Sequence, residues 1–128
     1  MGWNVKFIND LHIVELTLSG ELDGAELQES AAARIALGEE KGVTDFVIDA
    51  RSLVAPRDTT MAVYDIPARL YTEKNMPREA RIAVVIPTAK ESSWIVPFYE
   101  DLCVNRGWRV FMAPDRDSAL RWLCPDDS

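Results

Sequence analysis

Apolar residues at Trp3, Val5 and Phe7 alternate with polar Asn4 and Lys6, and Val14, Leu16 and Leu18 alternate with Glu15 and Thr17. A period of two puts each apolar set on one face of a strand. The short Asn9-Asp10-Leu11-His12 link between them predicts an antiparallel hairpin. Gly20 closes the second strand. Asp23, with Glu26 three residues on, marks the start of a long helix carrying Leu27, Ala31, Ile35 and Leu37, and Gly38 and Gly42 punctuate its end.

Phe46-Val47-Ile48 is a short continuous β-rich run ending in Asp49, which suits a central strand covered on both faces. Asp58, after Pro56, is a good N-cap for an element bearing Met61, Ala62, Val63, Ile66 and Leu70. Pro67 has no amide hydrogen, so this helix is predicted to kink or break near Asp65 and Ile66, and Asn75 to Pro77 end it. Arg81 to Pro87 is the strongest strand signal in the chain. Ser92 or Ser93 then caps a helix through Trp94, Phe98, Leu102 and Cys103, with Pro97 in its first turn and Gly107 as its stop. Trp108 to Met112 reads as a last strand, and Asp115 or Asp117 caps a final helix with Ala119, Leu120, Trp122 and Leu123. The order is ββαβαβαβα. Strands alternating with helices imply parallel pairs joined by right-handed crossovers, and the opening hairpin adds one antiparallel strand. The expected fold is therefore α/β, a single-layer mixed five-stranded sheet with four helices, in one domain spanning 1–128.

At 128 residues one hydrophobic core is enough. The 48% hydrophobic and 27% charged content is that of an ordinary globular protein. A net charge of -7, with no cluster of Lys and Arg to offset it, argues against nucleic acid and membrane surfaces as partners. No apolar run approaches the roughly 20 residues of a membrane-spanning helix, and Met1 to Lys6 has neither the basic start nor the apolar core of a signal peptide, so a cytoplasmic protein is expected. Cys103 and Cys124 stand apart without a CxxC spacing, as in a reducing compartment. Glu39-Glu40-Lys41 reads as a solvated helix end and Asp126-Asp127 as a frayed tail.

The only histidine, His12, falls in the hairpin turn, so no base is placed for a Ser or Cys nucleophile. GxSxG, GxGxxG and P-loop motifs are absent, as is any metal-ligand spacing of His, Cys and carboxylates. A non-catalytic protein without a cofactor or metal is expected. Ligands of open α/β sheets settle beyond the carboxyl ends of parallel strands, beside the starts of the following helices. That rule selects two neighbouring loops, Asp49 to Thr60 and Thr88 to Ser93. Asp49, Arg57, Asp58, Thr59, Thr60, Lys90, Ser92 and Ser93 are the candidate ligand- or partner-binding residues, since exposed amides, helix dipoles and cationic side chains favour anions there. The competing reading makes Asp58, Ser92 and Ser93 helix caps only. Trp94, Phe98, Tyr99, Trp108 and Trp122 have the spacing of core aromatics, or else line an apolar pocket. Whatever part of Met61, Tyr64, Pro67, Leu70 and Tyr71 is exposed would form an interaction surface.

Ile13 to Gly20, the strand Arg81 to Pro87, and Val110-Phe111 followed by Ser118 to Leu123 resemble the STAS domain (sulfate transporter and anti-sigma factor antagonist), in particular the stand-alone bacterial SpoIIAA-like proteins. The resemblance covers nearly the whole chain and implies the same ββαβαβαβα fold. In the antagonists, an Asp-Ser-Ser-Gly type sequence at a helix start carries a phosphorylated serine. Here Asp58-Thr59-Thr60 stands at that start, which by resemblance makes Thr59 or Thr60 the possible phosphoacceptor, while Met61-Ala62 replaces the glycine and leucine of the pattern. The resemblance thus implies a regulatory or protein-interaction module, of unassigned role within its family, with the place where the third strand meets the second helix as its candidate switch. The superfamily is also likened to lipid-binding CRAL-TRIO domains. The alternative is therefore a binder or carrier of a small hydrophobic or anionic, lipid-like ligand between sheet and helices, which requires a void of several hundred Å3. A homodimer also accords with a small acidic domain bearing an interrupted apolar helix.

Overall fold

The computed structural model describes residues 2–124; the Asp126-Asp127 tail lies outside the described residues. The opening alternation forms the expected hairpin, in which β1 (Trp3–Ile8) pairs antiparallel with β2 (Ile13–Glu21), Trp3 opposite Leu18 and Ile8 opposite Ile13. The α1 helix (Gly24–Lys41) starts on a capping box. Glu26 N–H donates to Asp23 at 2.8 Å, and Asp23 N–H donates to Glu26 at 2.9 Å. The helix ends at Gly42, whose φ of 66° is the left-handed conformation a C-terminal glycine adopts without strain. Gly38 lies inside the helix, against the ring of Phe46.

β3 (Asp45–Val54) is longer than the apolar run suggests. A register irregularity between Thr17 and Ser19 of β2 lets Ser52, Leu53 and Val54 resume pairing with Ser19, Gly20 and Glu21. Asp49 is therefore inside the strand, not at its end. A single 3-10 turn (Arg57–Thr59) leads into α2 (Thr60–Asp65), a π-helical turn (Ile66–Leu70) and α3 (Tyr71–Glu73). The break falls where Pro67 requires it. Proline cannot donate to the preceding turn, and the helix widens until Tyr71 N–H reaches the Ile66 carbonyl. β4 (Arg81–Val85), a 3-10 turn (Lys90–Ser92), α4 (Ile95–Val104), β5 (Arg109–Ala113) and α5 (Arg116–Leu123) complete the chain. Pro97 is the third residue of α4, where its missing amide costs nothing. Asp115 caps α5 by accepting from Ser118 N–H at 2.8 Å.

The sheet order is β1-β2-β3-β4-β5, with β2 to β5 all parallel. Because the order always advances in one direction, right-handed crossovers put α1, α2 with α3, and α4 on the same face. Val14, Leu16, Leu18, Phe46, Ile48, Ile82 and Val84 form the sheet's side of the larger core there. Alternate positions Ile13, Val47, Ala83, Val85 and Ala113 face the other way, against Ala119 and Leu123 of α5. Among the described residues no helix is long and apolar enough to cross a membrane.

Candidate functional site

The two loops selected from the sequence do meet, through Ser92. Its hydroxyl donates to the Leu53 carbonyl at 3.0 Å and accepts from Ala55 N–H at 2.8 Å, with no exposure to solvent. The indole of Trp94 donates to the Ala55 carbonyl at 3.0 Å, and Arg57 lies over the Trp94 ring at 5.3 Å. The turn before α4 is thereby stitched to the end of β3. This corrects the reading of Ser92 and Ser93 as helix caps: Ser92 satisfies the backbone where β3 leaves the sheet, Ser93 is exposed, and Trp94 occupies the N-cap of α4 with no side-chain capping bond.

The start of α2 differs in the same way. Asp58 is exposed and does not cap the helix, because the chain enters it through a 3-10 turn after Pro56. The threonine hydroxyls turn back one step each. Thr59 Oγ1 donates to the Pro56 carbonyl at 2.7 Å and Thr60 Oγ1 to the Arg57 carbonyl at 2.6 Å. Thr59 is 2% exposed, whereas Thr60 is half-buried and reachable from solvent. Six residues of α2 after a 3-10 turn make a weaker dipole than the long helix expected from the sequence.

The outer face of α2 carries Met61, 66% exposed, and Tyr64, 37% exposed, with Arg106 over the Tyr64 ring at 5.5 Å. Of the other residues of the interrupted helix, Pro67 and Tyr71 are buried and Leu70 is half-buried. Arg57 and Asp58, in the turn that leads into α2, are exposed, as is Lys90 in the turn before α4.

Asp49 lies elsewhere. It sits about five residues, or roughly 16 Å, before the end of β3. Its Arg51 neighbour donates to it from Nε at 3.0 Å and from Nη2 at 2.8 Å. Burial alone would push the Asp49 carboxyl up, but the bonds from the Arg51 side chain and backbone prevail and hold it below its ordinary value. Nearby, Glu15 is 3% exposed and takes both bonds of a bidentate pair from Arg116, with Lys6 at 4.0 Å. These charges form a mutually satisfied group on the sheet face against which α5 packs. They are not part of the junction at α2.

Sequence reasoning overlooked Arg34. It is 1% exposed and donates from Nη2 to the hydroxyl of Tyr71, which is in turn hydrogen-bonded to the hydroxyl of Tyr99. The signal was present in the spacing, since Arg34 shares the inward stripe of α1 with Leu27, Ser30, Ala31 and Ile35. Tyr99 and Trp108 are core residues, while Trp94, Phe98 and Trp122 are partly buried. Between sheet and helices there remains a cavity of about 60 Å3. A lipid-like ligand needs several hundred, more than this cavity offers.

No family model matches the chain, and no curated protein is similar to it. Among solved structures it is similar to an anti-sigma factor antagonist from Mycobacterium paratuberculosis, with a TM-score of 0.57 and 16% identity, covering 94% of this chain and 92% of that one. The chain has the STAS fold. The architecture expected from Ile13 to Gly20, Arg81 to Pro87 and Ser118 to Leu123 is thereby borne out, including the mixed five-stranded sheet of a SpoIIAA-like domain. Within this STAS fold, the junction of β3 with α2 falls at Ala55 to Thr60, and the exposed face of α2 lies beside it.

Proposed function

We propose that this protein is a non-catalytic regulatory module of the cytoplasm that binds a protein partner through the junction of β3 with α2 and the outer face of α2. The observation that carries this reading is Met61, a large apolar side chain held 66% exposed by a helix whose other face is buried against the core. Tyr64 lies one turn on and Arg57 and Arg106 border the patch, a mixture of Met, Tyr and Arg of the kind found at the centres of interfaces. The fold shared with an anti-sigma factor antagonist supports the same reading. Thr60 is the hydroxyl a kinase would reach first, and Thr59 would require the turn to open. A phosphate on Thr60 would add a charge of about -2 within the binding surface. Lys90, Ser92 and Ser93 support the junction or flank it, whereas Asp49 stands apart from it, paired with Arg51 inside β3.

The test is photo-crosslinking in the native host from a reactive amino acid placed at Tyr64, with the same group at Asn9 in the hairpin turn as control. A partner captured at Tyr64 and not at Asn9, lost on Met61→Asp and altered at least tenfold by Thr60→Glu, is the expected result. Equal capture from both positions, or capture indifferent to Met61→Asp, would overturn the surface.

A further inference from the structure

The guanidinium of Arg34 is buried without a counter-ion. It is stacked between the rings of Phe46, at 5.2 Å, and Tyr71, at 5.4 Å. Its Nη2 is bonded to the Tyr71 hydroxyl, but Nε and Nη1 have no hydrogen-bond partner among the described residues. None of the ion pairs of the described residues includes it. Neighbouring acids do not supply the charge either. Burial pushes the Tyr71 and Tyr99 phenols up, and it pushes the Cys103 thiol up to about 12, so all three stay neutral at physiological pH. Arginine cannot shed its proton to escape the interior, as a buried lysine does. A buried cation is normally paired, and this one has donors to spare.

Arg34 is also part of the wall of the 60 Å3 cavity, together with Ser30, Tyr99 and otherwise apolar side chains such as Leu27, Ile48 and Ile95. We propose that this cavity binds one small monovalent anion, a halide or a short carboxylate, held by the Arg34 guanidinium. The volume suits chloride, formate or acetate and excludes phosphate esters and acyl chains. Apolar walls exclude competing water, which strengthens a charge-assisted bond from the guanidinium. Val63 and Ile66, from the stretch of helix that Pro67 interrupts, close the cavity on one side. Local opening of that stretch is the route of entry, since the π turn is the least regular part of the cover. The inference is independent of the partner surface on the outer face of the same helix.

The test is thermal unfolding of the full chain in sodium gluconate, whose anion is too large for the cavity. Sodium chloride, formate or acetate is then titrated in at constant ionic strength. A rise in Tm that reaches about 5 °C at an anion concentration about ten times Kd, and continues with the logarithm of the concentration above that, is expected. Whichever salt acts at the lowest concentration distinguishes halide from carboxylate. Arg34→Met, which keeps the apolar stem and removes the charge, is expected to abolish the rise. A Tm indifferent to all three anions, or a rise that Arg34→Met retains, would overturn the site. Should that variant fail to fold, crystals of the unaltered chain grown in sodium bromide and in sodium formate decide the matter. An anomalous bromide peak or planar formate density beside Arg34 supports the site, and water alone in both refutes it.

Discussion

Arg116 lies 101 residues from Glu15 in the chain, yet it donates from Nε and Nη2 to both oxygens of the Glu15 carboxylate, at 2.8 and 2.9 Å. The pair ties the first turn of α5 to the start of β2, on the sheet face against which α5 packs. The Glu15 side chain is only 4% exposed, so its charge depends on these donors for solvation. Arg116→Ala is expected to destabilise the protein by about 2 kcal/mol, the scale of losing charged hydrogen bonds and stranding a buried acid. Arg116→Lys should recover only part of this, because an ammonium cannot make the bidentate contact. Urea unfolding of the three proteins measures both effects.

Asp49 should contribute to acid sensitivity. Its carboxyl is held below the ordinary value of 3.8 in the folded protein. A depressed folded value means that the contribution is present above the unfolded value and is lost as pH falls through the folded one. Asp49→Asn is expected to cost about 1 kcal/mol at neutral pH, the modest figure reflecting an Arg51 side chain that is 50% exposed. The gap between the variant and the unaltered protein should close as the pH is taken below 3.8. Stability curves at a series of pH values show whether it does.

Ser92→Ala is expected to be more damaging than its size suggests. The substitution removes one hydroxyl and leaves both the Ala55 N–H and the Leu53 carbonyl without that partner in a fully buried place. About 2 to 3 kcal/mol of stability should be lost. Local amide exchange should quicken at Ala55, just past the end of β3, before the strand itself is affected. Hydrogen exchange followed by NMR tests this, and an Ala55 amide as protected as before would show that the bridge is dispensable.

Gly38→Ala separates helix propensity from packing. Alanine favours a helix interior over glycine by about 1 kcal/mol. Here, however, a Cβ would come within 2.8 Å of the Phe46 ring and 3.1 Å of the Val43 carbonyl. Phe46 is itself buried, so the ring cannot swing clear, and a net loss of about 1 to 2 kcal/mol is expected. A gain in the chemical denaturation midpoint would show that the ring gives way.

Strands, helices and their order were legible because each depends on short-range pattern: alternation in β1 and β2, the capping box at Asp23 and Glu26, and Pro67 in a helix. Chain direction and the right-handed crossover rule then left little freedom in the sheet. The candidate site was legible only in part. The meeting of the two loops followed from topology, but the role of Ser92 did not, because a serine before a helix has the same sequence signature whether it caps that helix or bridges a neighbouring strand.

The local sequence by itself determined the elements, their polarity and the break at Pro67, since propensity, periodicity and the missing proline amide act within a turn or two. Only the tertiary structure decided that β3 runs on past Asp49, that Glu15 is buried beneath Arg116, and that Arg34 lies in the core without a counter-ion. Each of these depends on groups tens of residues apart. Pairing register, ion pairing and desolvation are properties of the space between elements, which no single segment of the chain encodes.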